Sequence, residues 1–222
     1  GYGPLRPVAD DTTGMPLLAN DPHLGLQMPS VFYEVGLHGG GFDVVGLGLP
    51  GTPGVLIGHN GQVAWGMTTI YSDQQDLFIE KANPDNPNQV EFRGAWEDVQ
   101  VVEESIPVKG RAEPLVETVR ITRHGPIINA VVGDLEGKAE PVALRWTALD
   151  EDHLFDSLLL ANQATSVDQF RSALSQWDSG SQNFVIADTQ GNIAIQGTGR
   201  TPIRAAGDGR TPVPGWTGDY EW

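Results

Sequence analysis

A histidine on a proline-braced turn is the residue of this sequence best placed to do chemistry. His23 closes the run Asn20-Asp21-Pro22-His23, which follows the apolar pair Leu17-Leu18. Pro22 fixes φ, and Asn20 and Asp21 can hydrogen-bond their own backbone in a turn, so the imidazole leaves a short strand on a stiffened loop. Its near-neutral pKa suits proton transfer, although the same pattern serves equally for a histidine satisfied within its turn. A second set is Asp73, Gln75 and Asp76. Two carboxylates three apart with a carbonyl between them can offer hard oxygens to one calcium ion; without such an ion the stretch reads as a solvated loop.

Several chemistries are excluded or weakened. The 222 residues contain no cysteine, which removes disulfides, thiolate catalysis and Cys-ligated zinc from this chain. The string His38-Gly39-Gly40-Gly41 is of the kind used as an oxyanion loop by esterases, but those also need a Gly-x-Ser-x-Gly elbow, and Trp177-Asp-Ser-Gly-Ser181 lacks its first glycine. A formal net charge of -16 argues against nucleic acid, whose binding needs clustered Lys and Arg. No apolar run is long enough to span a membrane, and the opening residues do not have the form of a secretory leader.

The elements that must position these residues read as strands first and helices late. Val31 to Leu49 consists of short apolar runs cut by glycine. Val55 to Ile57 and Val63 to Thr69 read as a hairpin about His59-Asn60-Gly61, with His59 fixing the turn. Val90 to Val102 and Glu117 to Ile121 alternate like solvent-edged strands, Lys109-Gly110-Arg111 is a turn, and Val142 to Leu149 is a buried strand. Helices are expected over His153 to Gln163 and Val167 to Trp177, the second opened by the capping box Ser166-Val-Asp-Gln169. The pattern predicts an α+β fold, mostly antiparallel sheet with two helices covering one face.

The blocks Pro16-Leu-Leu-Ala-Asn-Asp-Pro-His-Leu-Gly25, Met28-Pro29-Ser30, Tyr33-Glu34, Leu37-His-Gly-Gly-Gly41, Pro50-Gly-Thr-Pro-Gly54, Ile57-Gly-His-Asn60 and Ala64-Trp-Gly66 occur in order. Gln182-Asn-Phe-Val-Ile-Ala-Asp188, Gly191-Asn-Ile193 and Pro212 to Trp222 follow. Together they resemble the catalytic β-chain of the penicillin acylase family of N-terminal nucleophile hydrolases. The resemblance implies part of an αββα sandwich in one domain over 1–222, with 1–13 atypical, in place of the nucleophile strand. It implies hydrolysis of a small-molecule N-acyl amide through an acyl-enzyme. It further implies an α-chain and the remainder of the β-chain as partners, and export to the periplasm or beyond.

Site roles follow from the resemblance residue by residue. The nucleophile falls at position 1, where this sequence has Gly1, and no Ser, Thr or Cys precedes Thr12. The backbone N–H of Thr69 and the side chain of Asn183 are the implied oxyanion donors, with Ile70 beside the substrate. His23 would orient or relay protons, and Arg204 would order the site. Asp73, Gln75 and Asp76 correspond to the family's structural calcium loop. Pro4 and Pro7 lie where the family runs a strand, which is unfavourable because proline cannot donate to a ladder. The alternative implied by Gly1 is a non-catalytic β-rich fragment that binds calcium or a partner chain.

Overall fold

A computed structural model describes residues 6–9, 14–137, 140–150 and 152–222. Two compact units emerge, one made of Gly1–Ser72 with Glu151–Arg200 and the other of Asp73–Asp150 with Thr201–Trp222. In chain order the first segment carries β1 (Arg6–Ala9), β2 (Pro16–Ala19), β3 (Tyr33–Gly39), β4 (Phe42–Gly48), β5 (Ile57–His59) and β6 (Val63–Thr69). The second begins with β7 (Gln75–Ile79), β8 (Ala82–Asn83), β9 (Asn86–Phe92) and β10 (Ala95–Asp98). It continues through β11 (Gln100–Ile106), β12 (Leu115–Thr122), β13 (Gly125–Pro126) and β14 (Val142–Trp146). Helices α1 (Leu154–Asn162) and α2 (Val167–Leu174) precede β15 (Gln182–Asp188) and β16 (Ile193–Gly197), and β17 (Val213–Pro214) closes the series.

In the first unit a six-stranded antiparallel sheet has the order β16-β15-β6-β5-β4-β3. Its period-2 alternation turns Val63 and Trp65 of β6, with Phe184 and Ile186 of β15, into one core with Leu158 of α1 and Phe170 of α2. Trp65 and Phe170 lie 5.0 Å apart, Trp177 and Phe184 5.2 Å. Burying each such ring contributes about 1.5–3 kcal/mol. The helices therefore cover one face, as the pattern predicts. Phe155 and Leu160, apolar residues of the first helical run, are instead about half exposed. A single helix can turn only one stripe to the sheet, and Leu158 and Ala161 occupy it.

Local signals explain the boundaries. Ser166 Oγ accepts from Gln169 N–H at 3.3 Å, capping α2, while Gln169 Oε1 reaches back to Thr165 N–H at 2.9 Å, one residue earlier than a strict capping box. The helix ends at Leu174, and Trp177 is buried beyond it. Asn60, not His59, fixes the hairpin between β5 and β6: its Oδ1 accepts from Gln62 and Val63, and its Nδ2 donates to Asn162 and Ala164 carbonyls. Asn162 grips Val55 at both backbone groups, at 2.7 and 2.9 Å, and ties α1 to the loop before β5.

The second unit holds three three-stranded sheets, β10-β9-β8, β11-β12-β13 and β14-β7-β17, the last with β17 parallel to β7. The expected continuous strand from Val90 to Val102 is broken. Phe92 pairs with Ala95 across a two-residue turn in which Arg93 and Gly94 both have positive φ, the geometry that a tight hairpin requires. The expected strand to Leu149 stops at Trp146, and Thr147–Leu149 is a single 3-10 turn. Among the described residues no helix is long and apolar enough to cross a membrane.

The expected disruption by proline is only partly seen. Pro7 stands inside β1, opposite Leu18 in a two-stranded ribbon with β2. Within that ribbon β1 has one partner, so proline's missing N–H can lie on its unpaired edge. Pro4 and Gly1 lie outside the described residues.

Candidate active site

Asn20 organises the site at the end of β6. Its Nδ2 donates to Met67 C=O at 3.3 Å and its Oδ1 accepts from Met67 N–H at 3.2 Å, so one side-chain amide takes the place of a neighbouring strand. Such a substitute must come close to the backbone it mimics. At Gly66 it does: a Cβ there would lie 2.7 Å from Asn20 Cβ. Gly66 alternates with the core-facing Trp65 and Met67, so Asn20 and β2 lie on the face away from the helices.

This clamp sets where the next N–H points. Pairing of β5 with β6 stops at Gly58 and Trp65, leaving the following edge of β6 without a strand partner from β5. Ile70 N–H donates across to Ser181 C=O of the β15 side at 3.2 Å, whereas Met67 N–H points the other way, to Asn20. Successive N–H groups alternate between the two edges of a strand, so Thr69 N–H shares the direction of Met67 N–H. A cavity of about 250 Å³ lies there, lined by Asn20, His23, Phe32, Met67, Thr69 and Gln182 among others. His23 is half exposed, with Nε2 3.6 Å from Asp21 Oδ2. An imidazole and an outward-turned backbone donor thus face one concave space with apolar walls.

The expected site residues separate into groups. His23 and Thr69 meet at the cavity. Asn183 is half-buried, opposite Thr68 in register, and is absent from the lining; the amide there is its neighbour Gln182. A one-residue step along a strand moves a side chain to the other face: Asn183 shares the face of Val185, which stands opposite Gly66 and so on the side of Asn20 and β2, while Gln182 shares the helix-side face of Phe184. Ile70 is likewise outside the lining. Its Cδ1 comes within 3.1 Å of where a Cβ at Gly197 would be, so it packs against β16 rather than facing the cavity.

Asp73, Asp76 and Arg204 belong to the second unit and are joined to one another. Arg204 donates to both oxygens of Asp76, Nε at 2.7 Å and Nη2 at 2.9 Å, and lies 3.1 Å from Asp73. Trp222 Nε1 donates to Asp76 Oδ2 at 2.5 Å. The guanidinium has its pKa raised, chiefly by the hydrogen bonds to Asp76, with burial acting against it. Gly209 packs so closely that a Cβ there would collide with Asp73 Oδ2. The calcium expectation does not fit this arrangement, because both Asp76 oxygens are already spoken for by cationic and N–H donors. Gln75 is exposed on β7 and joins neither carboxylate. No cluster of three or more His, Cys, Asp or Glu able to hold a metal occurs among the described residues. Arg204 thus carries the ion-pair group of this unit.

Two features of the structure have no local signal in the sequence. Asn20 looked like a turn residue bonding its own neighbours, and nothing local marks Met67, 47 residues on, as its partner. His124 sits in the run His124-Gly125-Pro126, which carries no local motif, yet its ring bridges two carboxylates, Glu80 and Glu221, each at 2.8 Å.

Residues 9–222 match the family model described as penicillin amidase. The chain is 34% identical over 220 residues to acyl-homoserine lactone acylase QuiP of Pseudomonas aeruginosa, covering 95% of this chain and 26% of that protein. It is 37% identical over 213 residues to the penicillin acylase 2 proenzyme of a Pseudomonas species, covering 95% and 27%. The structure superposes on a thermostable penicillin G acylase from Alcaligenes faecalis with a TM-score of 0.82 at 30% identity, over 98% of this chain and 39% of that one. The chain spans about a quarter of the length of these curated relatives.

Proposed function

This chain belongs to the penicillin amidase family, and we propose that it carries the oxyanion-binding and proton-handling part of a site that hydrolyses a linear N-acyl amide. The observation that supports the reading is the cavity between the Asn20 to His23 loop and the end of β6, with Thr69 N–H turned toward it. A backbone donor held by the clamp on Met67 needs no reorganisation as an amide carbonyl gathers negative charge. His23 is within reach of the same space and can hold or pass the proton that the leaving amine takes up. In the acyl-transfer step a nucleophile oxygen bonds to the carbonyl carbon, the C–N bond breaks, and the amine leaves with a proton. Water then cleaves the acyl-enzyme.

Because the chain spans about a quarter of the length of its curated relatives, activity is assigned to it together with the remainder of its precursor, an α-chain and the rest of the β-chain. Penicillins and acyl-homoserine lactones, named for its relatives, are the substrate classes to try. The test is release of amine from phenylacetyl- and long-acyl amides by the complete protein and by its His23→Gln variant. Turnover that falls with His23→Gln supports the reading. Absence of turnover by the complete protein on every acyl class favours the non-catalytic alternative.

A further inference from the structure

Glu80, His124 and Glu221 join three separate stretches of the second unit in a polar contact that the proposed amide chemistry does not use. Glu80 follows β7 and is 2% exposed; His124 lies in the turn between β12 and β13 and is 3% exposed. His124 Nδ1 is 2.8 Å from Glu80 Oε1, and Nε2 is 2.8 Å from Glu221 Oε1. The ring lies flat on Phe78 with centroids 4.0 Å apart, and Phe92 meets it edge-on at 6.3 Å. Gly215 closes the site: a Cβ there would lie 2.6 Å from Glu80 Oε2 and 3.1 Å from His124 Cε1. The ring has no room to turn away from its partners.

Both ring nitrogens face carboxylate oxygens, and a neutral imidazole has one N–H while an imidazolium has two. Only the charged ring donates to both partners. On losing a proton it must leave one carboxylate facing a lone pair, an expensive arrangement inside a protein. The two carboxylates are not equally able to tolerate this. Glu80 keeps the Thr122 hydroxyl, which donates to Oε1 at 2.7 Å, and has no route to solvent. Glu221 has a side chain 28% exposed and a more distant cation, Arg123 Nε at 3.8 Å. We propose that this triad is a proton-operated latch, which holds the end of the chain segment 213–222 against β7 while His124 is charged and frees Glu221 when it is not.

The rest of the segment defines what moves. Upstream, β17 pairs with β7, Arg93 N–H donates to Trp216 C=O at 2.8 Å, and Arg93 Nη2 reaches Gly218 C=O at 3.1 Å. Gly218 itself has φ of 74°, which permits a change of direction there. Downstream, Ala205 N–H donates to Glu221 C=O at 2.9 Å, and Trp222 caps Asp76. The charged groups around the latch are Arg123, which stacks over Phe92 and pairs with Glu97, Arg145 beside the Trp222 ring, and Asp76 with Arg204. Burial pulls the His124 pKa down, but the hydrogen bonds and charges of Glu80 and Glu221 outweigh it and leave the pKa raised. The latch is therefore closed below the ordinary histidine range and opens as pH rises through the higher folded value.

The experiment is 15N NMR of the His124 ring with amide exchange at Ala205, both followed from mildly acidic to alkaline pH. Both ring nitrogens should carry protons at neutral pH. The exchange rate of Ala205, corrected for intrinsic base catalysis, should rise as the ring titrates, by about tenfold for each unit by which the folded pKa exceeds the ordinary one. His124→Gln risks misfolding, so the variant to read is Glu221→Gln, at the more exposed end. It should lower the ring's titration midpoint and remove the step in exchange. A ring already neutral at neutral pH, a flat Ala205 profile through the titration, or a step unchanged in Glu221→Gln would each overturn the proposal.

Discussion

His23 and His124 each lie beside a carboxylate, and they have opposite fates. His23 is about half exposed, 3.6 Å from Asp21, on the wall of a cavity. His124 is held at 2.8 Å on both nitrogens, between two aromatic rings. The contrast extends to the carboxylates and donors around them. In the second unit Asp76 has every oxygen engaged by Arg204 and Trp222, whereas in the first unit the Thr69 N–H is turned away from the β15 ladder. Saturated polar groups fix structure, and groups with unspent hydrogen-bonding capacity beside a cavity are free to act on a substrate. The type of residue does not separate the two cases; the number of partners does.

The comparison breaks most severely at Arg204. Replacing it with Gln leaves Asp76, whose side chain is 6% exposed, without its cation, and should cost about 3–5 kcal/mol in urea unfolding. Calcium added to the unmodified protein should leave the melting temperature unchanged, since the guanidinium already meets those carboxylates. A clear rise would show that the ion can displace Arg204.

On the cavity side, Gly66→Ala pushes a Cβ into Asn20 and should destabilise by about 1–3 kcal/mol. Asn20→Ala, which removes the clamp on Met67, should cost about 1 kcal/mol and expose the Met67 amide to exchange.

Asp188 sharpens the rule within the first unit, because it is saturated there. It accepts from the backbone N–H groups of Val167, Gln190 and Asn192, and from the Asn192 side chain. Burial opposes its ionisation, but these donors prevail and lower its pKa. Its stabilisation is thus full above the ordinary aspartate pKa and is lost as pH falls through the lower folded value. Asp188→Asn should flatten that part of the acid limb of a stability profile. His23→Ala should show the smallest effect on folding, within about 0.5 kcal/mol, because little packs on an exposed ring.

Short-range features of this molecule were legible in its sequence. The alternation of Val63, Trp65 and Met67, the Asn60-Gly61 turn and the Ser166 cap each rest on residues a few positions apart, and each appears as expected. The Arg93-Gly94 turn was missed because the apolar alternation on either side reads as one strand. The long-range pairs were out of reach. Asp76 and Arg204 are 128 positions apart, His124 and Glu221 are 97, and no local pattern selects such partners. His23 and Thr69, taken from the family's block order, line one cavity, and Asn183 from the same transfer stands opposite Thr68, next to the cavity-lining Gln182. Register along β15 decides between such neighbours, and it is a property of the folded sheet.

The oxyanion role proposed for the backbone N–H of Thr69 can be tested by removing that donor. Thr69→Pro removes that donor on an edge of β6 that is not paired with β15, so the fold should survive. The measurement is kcat for N-acyl amide hydrolysis by the complete protein and this variant, with melting temperature recorded alongside. With Thr69 N–H as an oxyanion donor, kcat should fall by about a hundredfold to a thousandfold while the melting temperature changes little. An unchanged kcat in a folded Thr69→Pro protein would contradict it.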